Sequence, residues 1–333
     1  MNHKHASRRR FALGGLALAA AAAVAPLAAG AATWPSRPLT IIVPFSAGGP
    51  TDIVARTLAA SMEKPLGASI IVENKPGAGG TIGAADVARA QPDGYRLLVH
   101  HIGMSTQPTL YRKLPYNSIT DFQPISLIND VPMTIVTKAD FPAKDFKELV
   151  SYVQKNADKI TLANAGIGAA SHLCGLMFMS ALDRQLTPVP YKGTAPALTD
   201  LMGGQVDLMC DQTTNTTQQI KSGKIKAYAV TSAERLETFP DVPTAKESGL
   251  DSLQIGIWHA LYAPKGTPKA VVDKLVAAAQ TALADPGLQK RFAELGAVMY
   301  PKDQQTPDAV AAKLKSEIDR WAPVIKKAGV YAD

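Results

Sequence analysis

The chain has 333 residues, 46% hydrophobic and 19% charged, with 35 Lys and Arg against 28 Asp and Glu for a formal net charge of +7. That apolar share excludes a wholly disordered chain. Four of the bases (Lys4, Arg8, Arg9, Arg10) fall in the first 32 residues, which hold no acid, so the remainder carries 31 basic residues against 28 acidic ones, a net +3. With no basic run interleaved with aromatics there, a nucleic-acid footprint is excluded.

Residues 1–32 read as an export signal: the arginines, an Ala/Leu-rich run from Phe11 to Ala29, and small residues around Ala29, Ala31 and Ala32. Basic region, apolar region and small-residue cleavage site come in that order. The adjacent arginines before Phe11 also suit the twin-arginine route, so Sec or twin-arginine export is expected, with the mature chain starting near Ala32 or Thr33. An uncleaved membrane anchor is the competing reading, weakened by a run that is mostly alanine. Export implies a periplasmic, oxidising setting, in which Cys174 and Cys210, the two cysteines, either pair or stay as buried thiols. About 300 mature residues exceed one compact core, so two lobes are expected.

Short apolar runs then alternate with helical patterns, which predicts an α/β fold with largely parallel strands. "LTIIVPF" (39–45) is a buried strand, and Pro50 suits the first helical position, followed by the apolar face Ile53, Val54, Leu58 and Met62. "SIIVEN" (69–74) is a second strand, "PGAGG" a turn, residues 82–90 a helix, and "YRLLVH" a third strand after the turn "PDG". The stretch "HHIGMST" (100–106) reads as a loop, with His100, His101 and Met104 as selectivity candidates. After "FQPISLINDVPMTIVTK" a second series begins: helix 145–156, strand 159–163, the glycine loop "NAGIGAAS" and helix 170–181. A strand near 187–190, a helix near 195–203, the strand "QVDLMC", a polar helix from about 214 and the strand "IKAYAVT" follow. "IGIWHALYA" (255–263) is a further strand, and the tail is helical: Pro268–Ala284, a helix capped by Asp285 and opened by Pro286, and Pro307 to about Lys327.

Two strand–glycine turn–helix units, 45–52 and 164–172, occupy the strand ends where open α/β sheets bind ligands. A dinucleotide site fails on spacing, since "GAGGTIG" has Ile82 where the third glycine belongs, and no Walker lysine follows any glycine turn. Two readings stay open: tight turns alone, or anion capture by free N–H groups at helix starts. Catalysis has little support, because Ser171 and His172 are consecutive and do not face each other on a helix. His100–His101 has no partner at metal-ligand spacing. No cofactor and no metal are expected, nor any enzymatic activity.

The segments "WPSRPLTIIVPFSAGGPTDIVAR", "VENKPGAGGTIGAADVARAQPDGYRLLV", "VPYKGTAPALTDLMGGQVDLMCDQ" and "FPDVPTAKESGL" closely resemble the Bug-type solute receptors of tripartite tricarboxylate transporters, over essentially the whole mature chain. The resemblance implies a two-lobe periplasmic binding protein (type II-like, Venus flytrap), each lobe a mixed sheet flanked by helices. It implies lobe 1 from 33–128 and 257–333, lobe 2 from 129–256, and crossings near 125–132 and 252–260. It also implies capture of a small mono-, di- or tricarboxylate or aromatic acid, delivery to membrane permease subunits, and a monomer without nucleic-acid partners. The ligand contacts it implies are Phe45, Ser46, Ala47, Gly48, Gly49, Thr51 and Asp52 in one lobe. In the other they are Ala165, Gly166, Ile167, Gly168, Ala169, Ser171 and His172, with Tyr191, Gly193, Thr194 and Asp211 as further positions and His101 across from them. Leu176, where many members have an acid, and "QTTNTT" after Asp211 depart from the family pattern. A ligand-sensing component of a two-component system on the same fold is the alternative function, and an acid-transforming enzyme is the third.

Overall fold

A computed structural model describes residues 34–332; the expected export signal lies outside the described residues, apart from them at 1–32. The chain folds as β1 (Leu39–Val43), α1 (Pro50–Leu66), β2 (Ile70–Asn74), α2 (Thr81–Ala88), β3 (Arg96–His101) and α3 (Gly103–Leu110). Then come β4 (Phe122–Lys138), α4 (Phe146–Asn156), β5 (Thr161–Asn164), α5 (Ala170–Leu182), β6 (Thr187–Pro190) and α6 (Thr194–Met202). The remainder is β7 (Leu208–Gln212), α7 (Thr213–Lys221), β8 (Ile225–Val230), β9 (Gly256–Pro264), α8 (Lys269–Leu283), α9 (Pro286–Glu294), β10 (Val298–Met299) and α10 (Pro307–Ala328).

Local chemistry sets the boundaries. Pro50 opens α1, and Gly67 closes it in the left-handed conformation with its N–H on the Glu63 and Lys64 carbonyls. The carboxylates of Asp145 and Asp285 cap α4 and α9 by accepting from the N–H groups of Glu148 and Leu288. Two expectations are corrected. Residues 100–106 are not a loop: His100 and His101 end β3, and Gly103 starts a helix although its sequence contains Pro108. The strand read at "QVDLMC" starts three residues later and carries on through Asp211 and Gln212.

The strands run in the order β2-β1-β3-β9-β4-β7-β5-β6, with β10 and β8 also paired to β4. β2, β1 and β3 are parallel, and β9 runs antiparallel to both β3 and β4. In the other half β4 is antiparallel to β7 and β8, while β5 is parallel to β6 and β7. The 17-residue β4 therefore belongs to both halves. Its pairing with β9 ends at Pro132–Gly256, and its pairing with β7 begins at Met133–Gln212. The return passage is tied alongside: Thr231 N–H donates to Met133 O and Ile255 N–H to Thr231 O.

Each half packs its own apolar layer. In the first, Ile41 and Val43 of β1 lie among Val54, Leu58 and Met62 of α1 and Leu275 of α8, all buried. In the second, Val136, Ala163 and Met209 pack against Leu198 and Leu201 of α6, and α5 covers the opposite face. Cys174 of α5 and Cys210 of β7 form a disulfide, which closes the choice the sequence left open. Among the described residues no helix is long and apolar enough to cross a membrane.

Candidate ligand-binding site

The glycine turns after β1 and β5 sit at carboxyl ends of parallel strands, one in each half, and each touches an element of the opposite half. Ser46 N–H donates to Lys192 O at 3.3 Å, and the Thr106 hydroxyl donates to Gly168 O at 3.2 Å. Tyr111 Oη lies 2.7 Å from Ala78 O and 2.8 Å from Ile167 O; its single proton serves one carbonyl at a time. Gln107 donates to Gly79 O at 2.8 Å and is itself held by the Tyr116 hydroxyl. Two glycines make this approach possible. A Cβ on Gly79 would lie 1.9 Å from Ile167 O, and one on Gly193 would lie 2.0 Å from Ser46 Oγ.

Behind this rim lies a narrow, tightly closed slot with about 10 Å³ of free room, lined by Phe45, Pro50, Thr51, His101, Ala165, Ala169, Ala170, Ser171, Thr194, Asp211 and Gln212. Four helices begin at it: α1 at Pro50, α5 at Ala170, α6 at Thr194 and α7 just after Gln212. None of these starts has a side-chain cap, so their first N–H groups keep no such acceptor. Hydroxyls of Thr51 and Ser171 supply further donors, while that of Thr194 is given to Asp211; Ser171 Oγ accepts from Ala165 N–H at 2.9 Å, which leaves its proton to give. Among the described residues, none lining the slot is Lys or Arg.

Histidines form the floor. His101 stacks on Phe45 with ring centroids 4.7 Å apart and meets His259 edge-on at 5.9 Å. Gly103 N–H donates to His101 Nδ1 at 2.9 Å, and His101 N–H to His100 Nδ1 at 2.7 Å. An accepting Nδ1 puts the proton of each neutral ring on Nε2. Burial keeps them neutral: it lowers His101 to about 3, and lowers His100 and His259 well below the usual range, helped by neighbouring histidines. Asp211 behaves oppositely. Burial pushes its carboxyl up to about 7, against hydrogen bonds from Asn215, the Gln212 backbone and Thr194.

Eight expected contacts therefore line the slot: Phe45, Thr51, His101, Ala165, Ala169, Ser171, Thr194 and Asp211. The others take different places. Ser46, Gly166, Ile167, Gly168 and Gly193 build the rim. Ala47 is exposed, and Gly48 and Gly49 face Ala195 across the cleft. Asp52 turns away, its carboxylate accepting from Gly48 N–H, Arg56 Nε and Asn74 Nδ2, so it braces the first turn. His172 accepts from Gly168 N–H at 3.4 Å and so anchors the second. The Tyr191 hydroxyl donates to Asp200 beside an outer groove of about 650 Å³ that runs past Tyr111 and Ile167. Of the selectivity candidates, His100 sits behind Phe45 and Gly80, and Met104 is core. Sequence reasoning missed Ala170, Gln212 and the latch Tyr111. It also missed His259, which only the strand register His101–His259 brings to the site.

A mixed-sheet two-part fold with a slot walled by helix starts from both halves defines the class of periplasmic binding proteins. Residues 54–330 match the tripartite tricarboxylate transporter family receptor, TctC, and the chain belongs to this solute-binding family. Three solved structures illustrate the kinship. Periplasmic binding protein BugD is 59% identical with a TM-score of 0.88, over 90% of this chain and 100% of that one. MatC from Rhodopseudomonas palustris with bound malate is 43% identical with a TM-score of 0.85, over 88% and 100%. Rpa4515 of R. palustris with adipate is 31% identical with a TM-score of 0.84, over 90% and 99%.

Proposed function

We propose that this protein captures a small organic carboxylate between two lobes, 33–128 with 257–333 and 129–256, and delivers it to the membrane permease of a tripartite transporter. The observation that carries the reading is the slot itself: four uncapped helix starts and the hydroxyls of Thr51 and Ser171 converge on it without a lysine or arginine. N–H groups aligned with a helix dipole favour an anion by about 0.3–2 kcal/mol per helix end. Each charge-assisted hydrogen bond adds roughly 1.5–3 kcal/mol. A few of these reach the roughly −8 kcal/mol of a micromolar ligand after ordering costs. Malate in MatC and adipate in Rpa4515 are small carboxylates, which supports the same ligand class here.

The change of partners along β4 at Pro132–Met133, beside the return at Ile255–Gly256, supports a two-strand hinge there. Opening about that hinge breaks the rim contacts and bares the slot; closing sequesters the ligand and joins the two halves into one surface for the permease. The protein works as a monomer in the periplasm after export.

The test is mass spectrometry of the acid that copurifies, followed by calorimetric titration of it. Ser171→Ala and Thr51→Val are expected to weaken binding about tenfold each while leaving the melting temperature of the free protein within a few degrees. Unchanged affinity in both variants would remove the slot as the binding site.

A further inference from the structure

Asp211 stands at odds with a site for anions. It lies at the end of β7, 1% exposed, and lines the slot. Asn215 donates to its Oδ2, while its Oδ1 is buried without a hydrogen-bond partner in the protein. A buried carboxylate with an idle oxygen is costly, and a ligand that brings only carboxylates adds acceptors and a second negative charge beside it. No cation in the wall offsets this, and His101 in the wall and His259 against it are neutral.

Resting on the carboxylate-receptor reading above, we propose that Asp211 selects acids that carry a hydrogen-bond donor next to a carboxylate, an α-hydroxy or α-amino acid, by accepting that donor's hydrogen on Oδ1. A hydroxyl fills the idle acceptor; an ammonium fills it and neutralises the charge as well. The donors of the wall (Ser171, Thr51, the start of α5) are then left for the ligand's own carboxylate oxygens. The raised proton affinity of Asp211 agrees with a carboxylate that lacks a counter-charge until the ligand arrives. The rival arrangement is a protonated Asp211 that donates to a plain dicarboxylate.

Calorimetric titration at pH 8 with matched trios separates the two: propionate, lactate and alanine; succinate, malate and aspartate; glutarate, 2-hydroxyglutarate and glutamate. Within the trios that bind, the hydroxy and amino members are expected to bind about tenfold or more tightly than the plain acid. Asp211→Asn, which keeps the shape and removes the charge, is expected to cancel the advantage of the amino acid. A plain acid that binds as tightly as its counterparts overturns the inference. So does heat that varies with the buffer's ionisation enthalpy, which reports proton uptake on binding. Binding of no member of any trio, with no organic acid copurifying, overturns instead the carboxylate-receptor reading beneath it. The comparison of trios on the unaltered protein decides the matter even where the variant does not fold.

Discussion

Gly193→Ala tests closure without touching the slot wall. Gly193 does not line the slot; it faces Ser46 across the cleft. Its added Cβ would meet Ser46 Oγ at 2.0 Å, Ser46 N at 2.8 Å and Ser46 Cβ at 3.0 Å. The hydroxyl can swing aside, but the backbone nitrogen is fixed by its bond to Lys192 O. Relief therefore requires the two turns to part. Overpacking of this kind costs about 1–3 kcal/mol, and here it falls on the closed state alone. Affinity scales with the population of the closed form, so Kd should rise about 5- to 150-fold. Titration calorimetry gives the affinity, and small-angle scattering with saturating ligand gives the fraction closed. Gly67→Ala is the control: nothing lies within 4 Å of its Cβ, yet its φ of +69° makes alanine strained, so it should lower stability by about 1 kcal/mol with unchanged Kd. Wild-type affinity and compaction in Gly193→Ala would refute the idea that the observed rim contacts form the ligand-holding state.

Three further outcomes are expected. Stability should fall on acidification: His101 is held to about 3 and His172 to about 4 in the folded chain against about 6.5 unfolded, so the unfolded state binds more protons below pH 6.5. Each costs about 1.4 kcal/mol per pH unit down to its folded value. Asp211 has the opposite sign, its folded value of about 7 lying above the ordinary 3.8, so Asp211→Asn should steepen the loss between pH 6.5 and 4 in urea titrations. Reducing Cys174–Cys210, or replacing both with Ala, should cost about 4 kcal/mol by the loop-entropy estimate for a separation of 36 residues, read as a lower urea midpoint. Asp52→Ala leaves Gly48 N–H and Asn74 Nδ2 without their shared acceptor, and should destabilise the protein by about 2–4 kcal/mol in the same assay, with weaker ligand binding through a loosened first turn.

How much of this was legible in the sequence follows from the range of the forces involved. The turns after β1 and β5 could be read because glycine and a following helix pattern are local signals. The roles within them could not. Asp52 looks like a ligand residue by position, but Arg56 and Asn74 draw its carboxylate away, and Asn74 is 22 residues distant. The helix at Gly103–Leu110 was hidden by Pro108 and by a near-polar composition; packing against α10 favours it despite weak propensity. His259 and Tyr111 carry no local mark at all. They reach the site through strand register and through contact between halves, which depend on residues 50 to 160 positions away. The run "QTTNTT" proved informative: Gln212 lines the slot, and Asn215 holds Asp211.

The shared strand has a consequence for how the chain assembles. Residues 133–230 contain every strand of the second half except the return passage, whereas the first half needs β9 to fill the gap between β3 and β4, pairing Phe122 with Pro264 across 142 residues. Joining such distant segments is slow, because the intervening loop must be closed before any contact rewards it. A refolding chain should thus complete its middle before its beginning, and hydrogen-exchange pulse labelling should find β5 and β7 protected earlier than β1. Protection of β1 first would mean that the beginning and end of the polypeptide find each other without waiting for what lies between.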